Sequence, residues 1–210
     1  MTEAPLPERA PIWVPTAQQR AATRLTGFLE DLRARRVVPE AVTDSHALQQ
    51  WSVSNLESFW AEIWRAADVM ADGPGPTDAP WTDVLMNGDI MCPLHQDADG
   101  WHGPQWFTGT TLNFAEHLLR RRDDALALVS WNEHGAQQRI TYAELAVRVA
   151  QCAAALSAAG VGVGDRVAGW LPNIPEAVVV MLAASSLGAT WSSCSPDFGT
   201  KGVLDRFGQI

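Results

Sequence analysis

The chain has 210 residues, of which 47% are hydrophobic and 19% are charged, so it can bury a substantial core and its composition does not indicate global disorder. Its formal net charge is −9, from 15 basic and 24 acidic residues, which disfavours nucleic acid or an anionic membrane as a partner. The three cysteines are widely spaced and give no disulfide framework. We expect neither a secretory leader nor a membrane-spanning segment, and hence a cytoplasmic location.

Residues 1–112 are rich in tryptophan, proline and short polar turns, and they predict a helical and irregular N-terminal extension. The apolar spacing within Thr16–Arg36 predicts one helix, and Ser54–Ala67 predicts a second. Ser54 and Glu57 have the spacing of a capping box at the start of that second helix. Seven of the ten tryptophans lie in this region, and their helical spacing favours packing over a ligand platform.

From Asn113 the pattern becomes regular and predicts an incomplete α/β subdomain over residues 113–210. Thr141 and Glu144 form a predicted capping box, and Asn173 with Pro175 opens another helix. Helices alternate with strands through short links, which is typical of a parallel α/β layer. The predicted fold class is therefore α/β, with a Trp-rich helical N-terminal extension followed by the start of a doubly wound parallel sheet. The predicted elements are a helix from Asn113 to Leu119, strands at Ala125–Trp131 and Gln138–Ile140, a helix from Thr141 to Ala159, a strand at Arg166–Leu171, a helix from Asn173 to Leu187, a strand at Ala189–Ser193 and the beginning of a final amphipathic helix.

The run Gly160-Val-Gly162-Val-Gly164 has some of the glycines of a dinucleotide-binding fingerprint, but its context differs. Such a fingerprint follows a strand and opens a helix, so that the helix N-terminus faces the pyrophosphate. Here the run follows a predicted helix and precedes a predicted strand, so we interpret it as a turn. The sequence contains no Walker lysine motif, no G-x-S-x-G elbow and no H-E-x-x-H motif.

Three other groups of residues could carry chemistry, and each has an ordinary structural interpretation. Cys92, His95 and His102 could be part of a metal site, but three ligands on irregular coil without a fourth are weak evidence for zinc. Arg120–Arg122 end a predicted helix, where cations stabilise the helix dipole. We favour this interpretation over a phosphate site. Cys194 could be a nucleophile, although no histidine occupies a recognisable partner position. We therefore predict no metal ligand and no catalytic residue within the chain.

The stretch Ser192-Ser-Cys-Ser-Pro-Asp197 lies at the C-terminal end of a predicted parallel strand. Open α/β sheets bind ligands at that edge, because loops leave the sheet there and helix N-termini point inward. The small side chains allow a ligand or another backbone to approach closely. An ordinary strand-to-helix loop fits the same pattern.

Three stretches, residues 51–64, 106–119 and 140–210, together resemble the adenylate-forming acyl-CoA synthetases. The loop Ser195-Pro-Asp-Phe-Gly is similar to the acetoacetyl-CoA synthetase branch, whereas acetyl-CoA synthetases tend to have F-G-G-F-S. Thr108 and His117 depart from the usual pattern, at positions where W-F-P-G and N-Y-A-E-N-L-L are typical. The family's patterns T-x-x-E-L, G-x-x-x-G-D-x-V, P-x-x-P-E-A and G-A correspond here to Thr141–Leu145, Gly160–Val167, Pro172–Ala177 and Gly188–Ala189.

The resemblance implies a ligase that uses ATP to convert acetoacetate into an acyl-adenylate, from which the thiol of coenzyme A displaces AMP. For the complete enzyme it implies ATP, Mg²⁺ and coenzyme A as cofactors, and acetoacetate and coenzyme A as small-molecule partners. It also implies that Ser195, Pro196 and Asp197 approach the pantetheine end of coenzyme A. A phosphate loop like the family's T-S-G-T-T-G-x-P-K is absent, so we expect an N-terminal portion that is inactive alone. The alternative is a non-catalytic α/β module that binds coenzyme A or another small molecule.

Overall fold

A computed structural model describes residues 11–89, 92–93, 95–97 and 100–210, and this part of the chain divides into two compact units. The first unit runs to Val69 and resumes over Gly73–Thr110, and the second consists of Met70–Asp72 and Thr111–Ile210. The sequence-based domains, residues 1–112 and 113–210, stay a prediction, because compactness does not establish independent folding.

The described residues of the first unit form helices followed by short antiparallel strand pairs. Strand β1 pairs with β4, and β2 pairs with β3. The elements are α1 (Ala17–Ala21), α2 (Arg24–Ala34), α3 (Ser45–Ser54), α4 (Leu56–Ala66), β1 (Leu85–Met86), β2 (His95–Asp97), β3 (Gly100–His102) and β4 (Gln105–Trp106).

The single helix predicted over Thr16–Arg36 is two helices. Helix α1 ends at Ala21, and the Thr23 hydroxyl then accepts a hydrogen bond from the Thr26 amide at 3.2 Å, which caps α2. A threonine side chain competes for nearby backbone donors, so it favours a new helix start over continuation of the old one.

The capping box predicted at Ser54 and Glu57 is wrong. Ser54 is the last residue of α3, and its hydroxyl donates to the Gln50 carbonyl oxygen at 3.3 Å. Helix α4 begins two residues later, and its N-cap residue Asn55 makes no side-chain cap hydrogen bond. The spacing matches the motif, but this serine belongs to the preceding helix, α3, which the sequence pattern did not predict.

The first unit is held together by an apolar core and by a cluster of aromatic rings. The ring of Trp64 lies 4.4 Å from that of Phe107 and 5.3 Å from that of Trp81, measured between centroids. Trp60 and Trp106 extend the cluster at 5.7 Å. These contacts confirm packing for Trp60, Trp64, Trp81 and Trp106, whereas Trp13 is 69% exposed. The separate apolar core consists of Leu29, Leu32, Val38, Val42 and Leu48.

The second unit combines an antiparallel hairpin with a parallel strand pair. Strands β5 and β6 pair through a tight turn, and β7 and β8 pair in parallel across an intervening helix. The elements are α5 (Phe114–Leu118), β5 (Leu126–Asn132), β6 (Gly135–Thr141), α6 (Tyr142–Ala158), β7 (Arg166–Trp170), α7 (Pro175–Ser186), β8 (Thr190–Cys194) and α8 (Thr200–Phe207).

Of the N-caps predicted for the two long helices of this unit, α6 and α7, one is confirmed and the other is wrong. The capping box at Thr141 is confirmed: its hydroxyl accepts from the Glu144 amide at 3.2 Å, and the Glu144 carboxylate accepts from the Thr141 amide at 2.9 Å. The cap predicted at Asn173 is wrong, because Ile174 is the N-cap residue and makes no side-chain cap bond. Pro175 occupies the first turn as predicted, since its fixed φ suits that position.

The core of the second unit lies between α6 and α7. Ala183 is fully buried, and this small side chain lets the two helices approach closely. None of the helices in the described ranges combines the length and apolar character needed to cross a bilayer. The principal buried residues of this core are Ala115, Leu119, Ile140, Leu145, Ala146, Val149, Val179, Leu182 and Ala183.

The parallel pair positions the loop that the sequence singled out. Helix α7 ends in a turn at Gly188, whose φ of +72° is a left-handed conformation that glycine adopts without strain. Strand β8 then runs beside β7, with Arg166 opposite Thr190 and Trp170 opposite Cys194. Both strands therefore end at the same edge. In the described residues this sheet has two strands, and the wider doubly wound sheet stays a prediction.

Candidate functional site

The candidate site is the loop between β8 and α8, at the C-terminal edge of the parallel pair. Ser195 follows β8 directly and is half-buried, whereas Pro196 and Asp197 are exposed. The Phe198 amide donates to the Ser195 carbonyl oxygen at 3.1 Å, which closes a turn over the three residues. The structure thus presents the three predicted residues together on one turn.

A hydroxyl and a carboxylate within this turn hold each other in place. The Ser195 hydroxyl donates to Asp197 Oδ2 at 2.9 Å, and the Asp197 amide donates to Ser195 Oγ at 3.3 Å. An exposed carboxylate can accept hydrogen bonds from amide N–H donors of a ligand, but its negative charge repels phosphate.

Helix α8 begins immediately after this turn, with Gly199 as its N-cap residue and no side-chain cap bond. Near its C-terminal end, the guanidinium carbon of Arg206 lies 4.0 Å from the centroid of the Phe198 ring. This cation–π contact fixes Phe198 and so supports the turn from the helix side. Leu204 of the same helix is 68% exposed.

The residues considered for a metal site do not assemble one in the part of the chain that the structure describes. The His95 and His102 rings stack at 4.9 Å across β2 and β3, and His95 Nδ1 lies 3.0 Å from the Pro93 carbonyl oxygen. Cys92 is a half-buried free thiol. Among the described residues no three histidine, cysteine, aspartate or glutamate side chains are grouped in a way that could hold a metal ion.

Cys194 ends β8 with only 8% of its surface exposed. A nucleophilic thiol must be accessible and must lie beside a base or cation. The buried position therefore gives no support to Cys194 as a catalytic residue.

The glycine run and the arginine run have the structural roles that the sequence indicated. The run forms the turn between α6 and β7, where the Gly162 amide donates to Asp165 Oδ2 at 2.8 Å. Arg122 Nε donates to the Leu119 carbonyl oxygen at 2.7 Å, close to the end of α5. Arg121 forms a 2.7 Å ion pair with Asp123, and this pairing lowers the pKa of the Asp123 carboxyl.

The two positions that depart from the family pattern each make specific contacts. The Thr108 amide donates to the Asp83 carbonyl oxygen at 2.9 Å, a bond that a proline could not make. His117 is half-buried, and its Nε2 lies 2.8 Å from the Met70 carbonyl oxygen. No residue near His117 in the sequence indicates Met70 as its partner.

The second unit also contains a groove that the sequence did not predict. It has a volume of about 280 Å³ and lies between β5 and the start of α7. Ser130 and Trp131 line one side, and Asn173 and Pro175 line the other. These residues are far apart in the sequence and share no motif, so only the fold reveals that they are neighbours.

Comparisons with known proteins agree with this architecture. The family model described as AMP-binding enzyme matches residues 114–207. The chain is 38% identical over 200 residues to acetoacetyl-coenzyme A synthetase of Rhizobium meliloti, which covers 95% of this chain and 28% of that protein. It is 43% identical over 166 residues to acetoacetyl-CoA synthetase of Gallus gallus, covering 78% of this chain and 22% of that protein. The solved structure of acetoacetyl-CoA synthetase from Streptomyces lividans superposes with a TM-score of 0.79 at 40% identity, over 96% of this chain and 29% of that one.

The chain is a homologue of the acetoacetyl-CoA synthetases. It corresponds to their N-terminal portion and spans about a quarter of the length of the relatives it matches. The homology to acetoacetyl-CoA synthetases includes both the Trp-rich helical part and the α/β part, because the matched structure covers nearly the whole chain. The family resemblance stated from the sequence is therefore confirmed.

Proposed function

We propose that this chain serves as the N-terminal portion of an AMP-forming acetoacetate–CoA ligase. The observation that supports this most strongly is the match to the Streptomyces lividans acetoacetyl-CoA synthetase structure over 96% of the chain. In the complete enzyme, ATP and acetoacetate give acetoacetyl-adenylate and pyrophosphate, and the thiol of coenzyme A then displaces AMP. The β7–α7–β8 unit is the start of a doubly wound parallel sheet in this proposal, and the enzyme acts in the cytoplasm.

In this proposal the chain forms one wall of the coenzyme A site. The exposed Asp197 carboxylate, held by Ser195, suits the amide N–H groups of the pantetheine arm. The same charge disfavours the phosphates of coenzyme A, so the loop would face the arm and not the nucleotide end. Pro196 lies between the two residues and limits the conformations that the turn can adopt.

ATP and Mg²⁺ do not fit the residues of this chain. A phosphate-binding loop needs several backbone N–H groups together with a lysine or hydroxyl side chains, and no such motif occurs in the sequence. The described residues also offer no group of acidic or histidine side chains that could hold a cation. We therefore assign to this chain no residue that binds the triphosphate and no step that involves the metal.

A chimeric enzyme tests the proposal directly. The segment of the Streptomyces lividans enzyme that this chain matches would be replaced by residues 1–210, and AMP release would be measured with ATP, acetoacetate and coenzyme A. We expect acetoacetate-dependent AMP release from the chimera and none above blank from the 210-residue chain alone. The matched control is the same enzyme with the segment deleted, which should be inactive.

Two outcomes would contradict the proposal. A chimera that folds, judged by circular dichroism and a cooperative thermal transition, but that releases no AMP would show that the chain cannot act as this portion of the enzyme. Turnover by residues 1–210 alone would show that the triphosphate is handled within the chain. Binding of coenzyme A by the chain, with an inactive chimera, would favour a non-catalytic binding module.

A further inference from the structure

Three residues within the Trp-rich part of the chain belong to the second compact unit. Met70–Asp72 group with Thr111–Ile210, although the residues on both sides of them, through Val69 and from Gly73, belong to the first unit. Asp72 and Thr111 form an antiparallel bridge in which each amide donates to the other's carbonyl oxygen at 2.9 Å. We refer to Met70–Asp72 as the strap.

His117 makes a third attachment, of a different kind. Its Nε2 lies 2.8 Å from the Met70 carbonyl oxygen, so an N–H at that nitrogen donates to the strap. Asp72 and Thr111 are exposed, whereas His117 and Met70 are half-buried. Water competes more strongly for the exposed backbone bridge than for the half-buried histidine bond. We therefore expect the histidine bond to stabilise the closed strap more than either backbone hydrogen bond of the bridge does.

The histidine is itself attached to the core of the second unit. It lies in the last turn of α5, a helix of five residues that is too short to be stable alone. Asn113 caps this helix and also donates to the Ser186 carbonyl oxygen at the end of α7, at 3.1 Å. Ala115 and Leu119 bury their side chains in the core. A bond from His117 to the strap therefore joins the strap to a packed helix and not to a mobile side chain.

We propose that the strap is a locally opening element of the second unit and that His117 is the clasp that holds it closed. The strap is short, none of its three residues is buried, its backbone bridge is exposed, and the His117 bond is the half-buried side-chain attachment that adds to its closure. Such an element opens without global unfolding, because few buried contacts are lost when it leaves. His117 is a positioning residue in this proposal, and it acts on the strap by a hydrogen bond.

Native-state hydrogen exchange of the 210-residue chain, followed by NMR, tests the clasp. The amides of Asp72 and Thr111 report closure, because each is protected by the bridge. In His117→Ala both amides should exchange roughly two- to tenfold faster than in the unchanged chain, since one net hydrogen bond is lost. The amide of Val149, within α6, should exchange at an unchanged rate. His117→Gln should restore protection, because the glutamine amide nitrogen reaches about as far as Nε2.

His134→Ala is the matched control, because His134 is exposed in the turn between β5 and β6. It should alter neither reporter amide. Three results would overturn the proposal. Unchanged exchange at Asp72 and Thr111 in His117→Ala would mean that the bridge alone holds the strap. Equal acceleration at Val149 would mean global destabilisation and no local opening. Failure of His117→Gln to restore protection would exclude the hydrogen bond as the cause.

Discussion

The Asn113 side chain joins the beginning of α5 to the end of α7 by donating to the Ser186 carbonyl oxygen at 3.1 Å. Its other end accepts from the amides of Ala115 and Glu116, at 3.0 and 3.2 Å. Asn113→Ala would remove the helix cap and leave a partly buried carbonyl without this donor. We expect the free energy of unfolding to fall by about 1–3 kcal/mol, measured by urea denaturation of the purified chain.

Asn173→Ala is the matched control for that experiment. Asn173 also precedes a helix and was predicted to cap it, but it is exposed and another residue is the N-cap. We expect a change within about 0.5 kcal/mol. Equal losses in the two variants would contradict the roles that the structure gives these asparagines.

Glu62 is a buried carboxylate between two arginines. Its side chain is 6% exposed and accepts hydrogen bonds from Arg35 and Arg65, which are 42% and 39% exposed. In Glu62→Gln the two charge-assisted bonds are weakened, while the arginines remain accessible to water. We expect a loss of about 1–2 kcal/mol in the free energy of unfolding by urea titration. Glu57→Gln, an exposed position on the same helix, should change it little; a loss as large as that of Glu62→Gln would count against the role of burial.

The pairing of Asp31 with Arg35 predicts a dependence of stability on pH. The hydrogen bond from Arg35 holds the pKa of the Asp31 carboxyl below its ordinary value of 3.8. The unfolded chain therefore binds this proton more readily than the folded chain. The stabilisation is fully present above the ordinary pKa and is lost as pH falls through the lower, folded-state pKa.

Asp31→Asn should accordingly make the acid limb of the stability curve less steep. The measurement is urea denaturation at a series of pH values from about neutral to below the ordinary pKa of an aspartate. The effect should be small, because both side chains are exposed and the pair is screened by solvent. Asp78→Asn, at an exposed carboxyl, is the comparison, and the interpretation fails if Asp31→Asn leaves the acid limb as steep as before.

Gly169, the penultimate residue of β7, has no room for a side chain. A Cβ atom added there would lie 2.8 Å from Trp191 Cζ2 and 2.6 Å from Leu171 Cδ2. Gly169→Ala would push the Trp191 ring away from the strand pair, and we expect a loss of about 1–3 kcal/mol. Thermal unfolding and Trp fluorescence measure this. Gly162→Ala, where nothing lies within 4 Å of the added atom, is the control; equal losses would contradict a packing effect at Gly169.

The proposed coenzyme A wall predicts a separation between the two half-reactions of the chimeric enzyme. Asp197→Asn and Ser195→Ala should raise the KM for coenzyme A by roughly three- to tenfold, because one hydrogen bond is weakened or misplaced. ATP–pyrophosphate exchange with acetoacetate should not change. Asp205→Asn, on the exposed face of α8, is the control. Loss of the exchange reaction would place the loop in adenylate formation instead.

Local sequence signals predicted those parts of the fold that depend on neighbouring residues. The capping box at Thr141 and Glu144 was found because donor and acceptor lie within one turn of the chain. The same motif misled at Ser54, because that serine ends a preceding helix. Asn173 misled in a similar way, since asparagine next to a helix start is not always the residue that caps it.

Contacts between distant residues were outside the reach of sequence reasoning. Nothing near His117 in the sequence indicates Met70 as its partner, and nothing near Trp131 indicates Asn173. For the loop after β8, the pattern predicted the position at the sheet edge, and the structure adds the bond from Ser195 to Asp197. The cofactor assigned to that loop stays a prediction, because a turn of this kind also occurs where no ligand binds.

The two strand pairs of the second unit differ in the stretch of chain that must be closed before pairing begins. Asn132 and Gly135 face each other across two residues, so the β5–β6 hairpin can close within about 1–10 μs. Arg166 meets Thr190 only after the whole of α7 has been brought between them, and that larger loss of chain entropy delays the pairing. From the topology we expect the hairpin to form early, and the loop that carries Ser195 to reach its final place only after the parallel pair has closed.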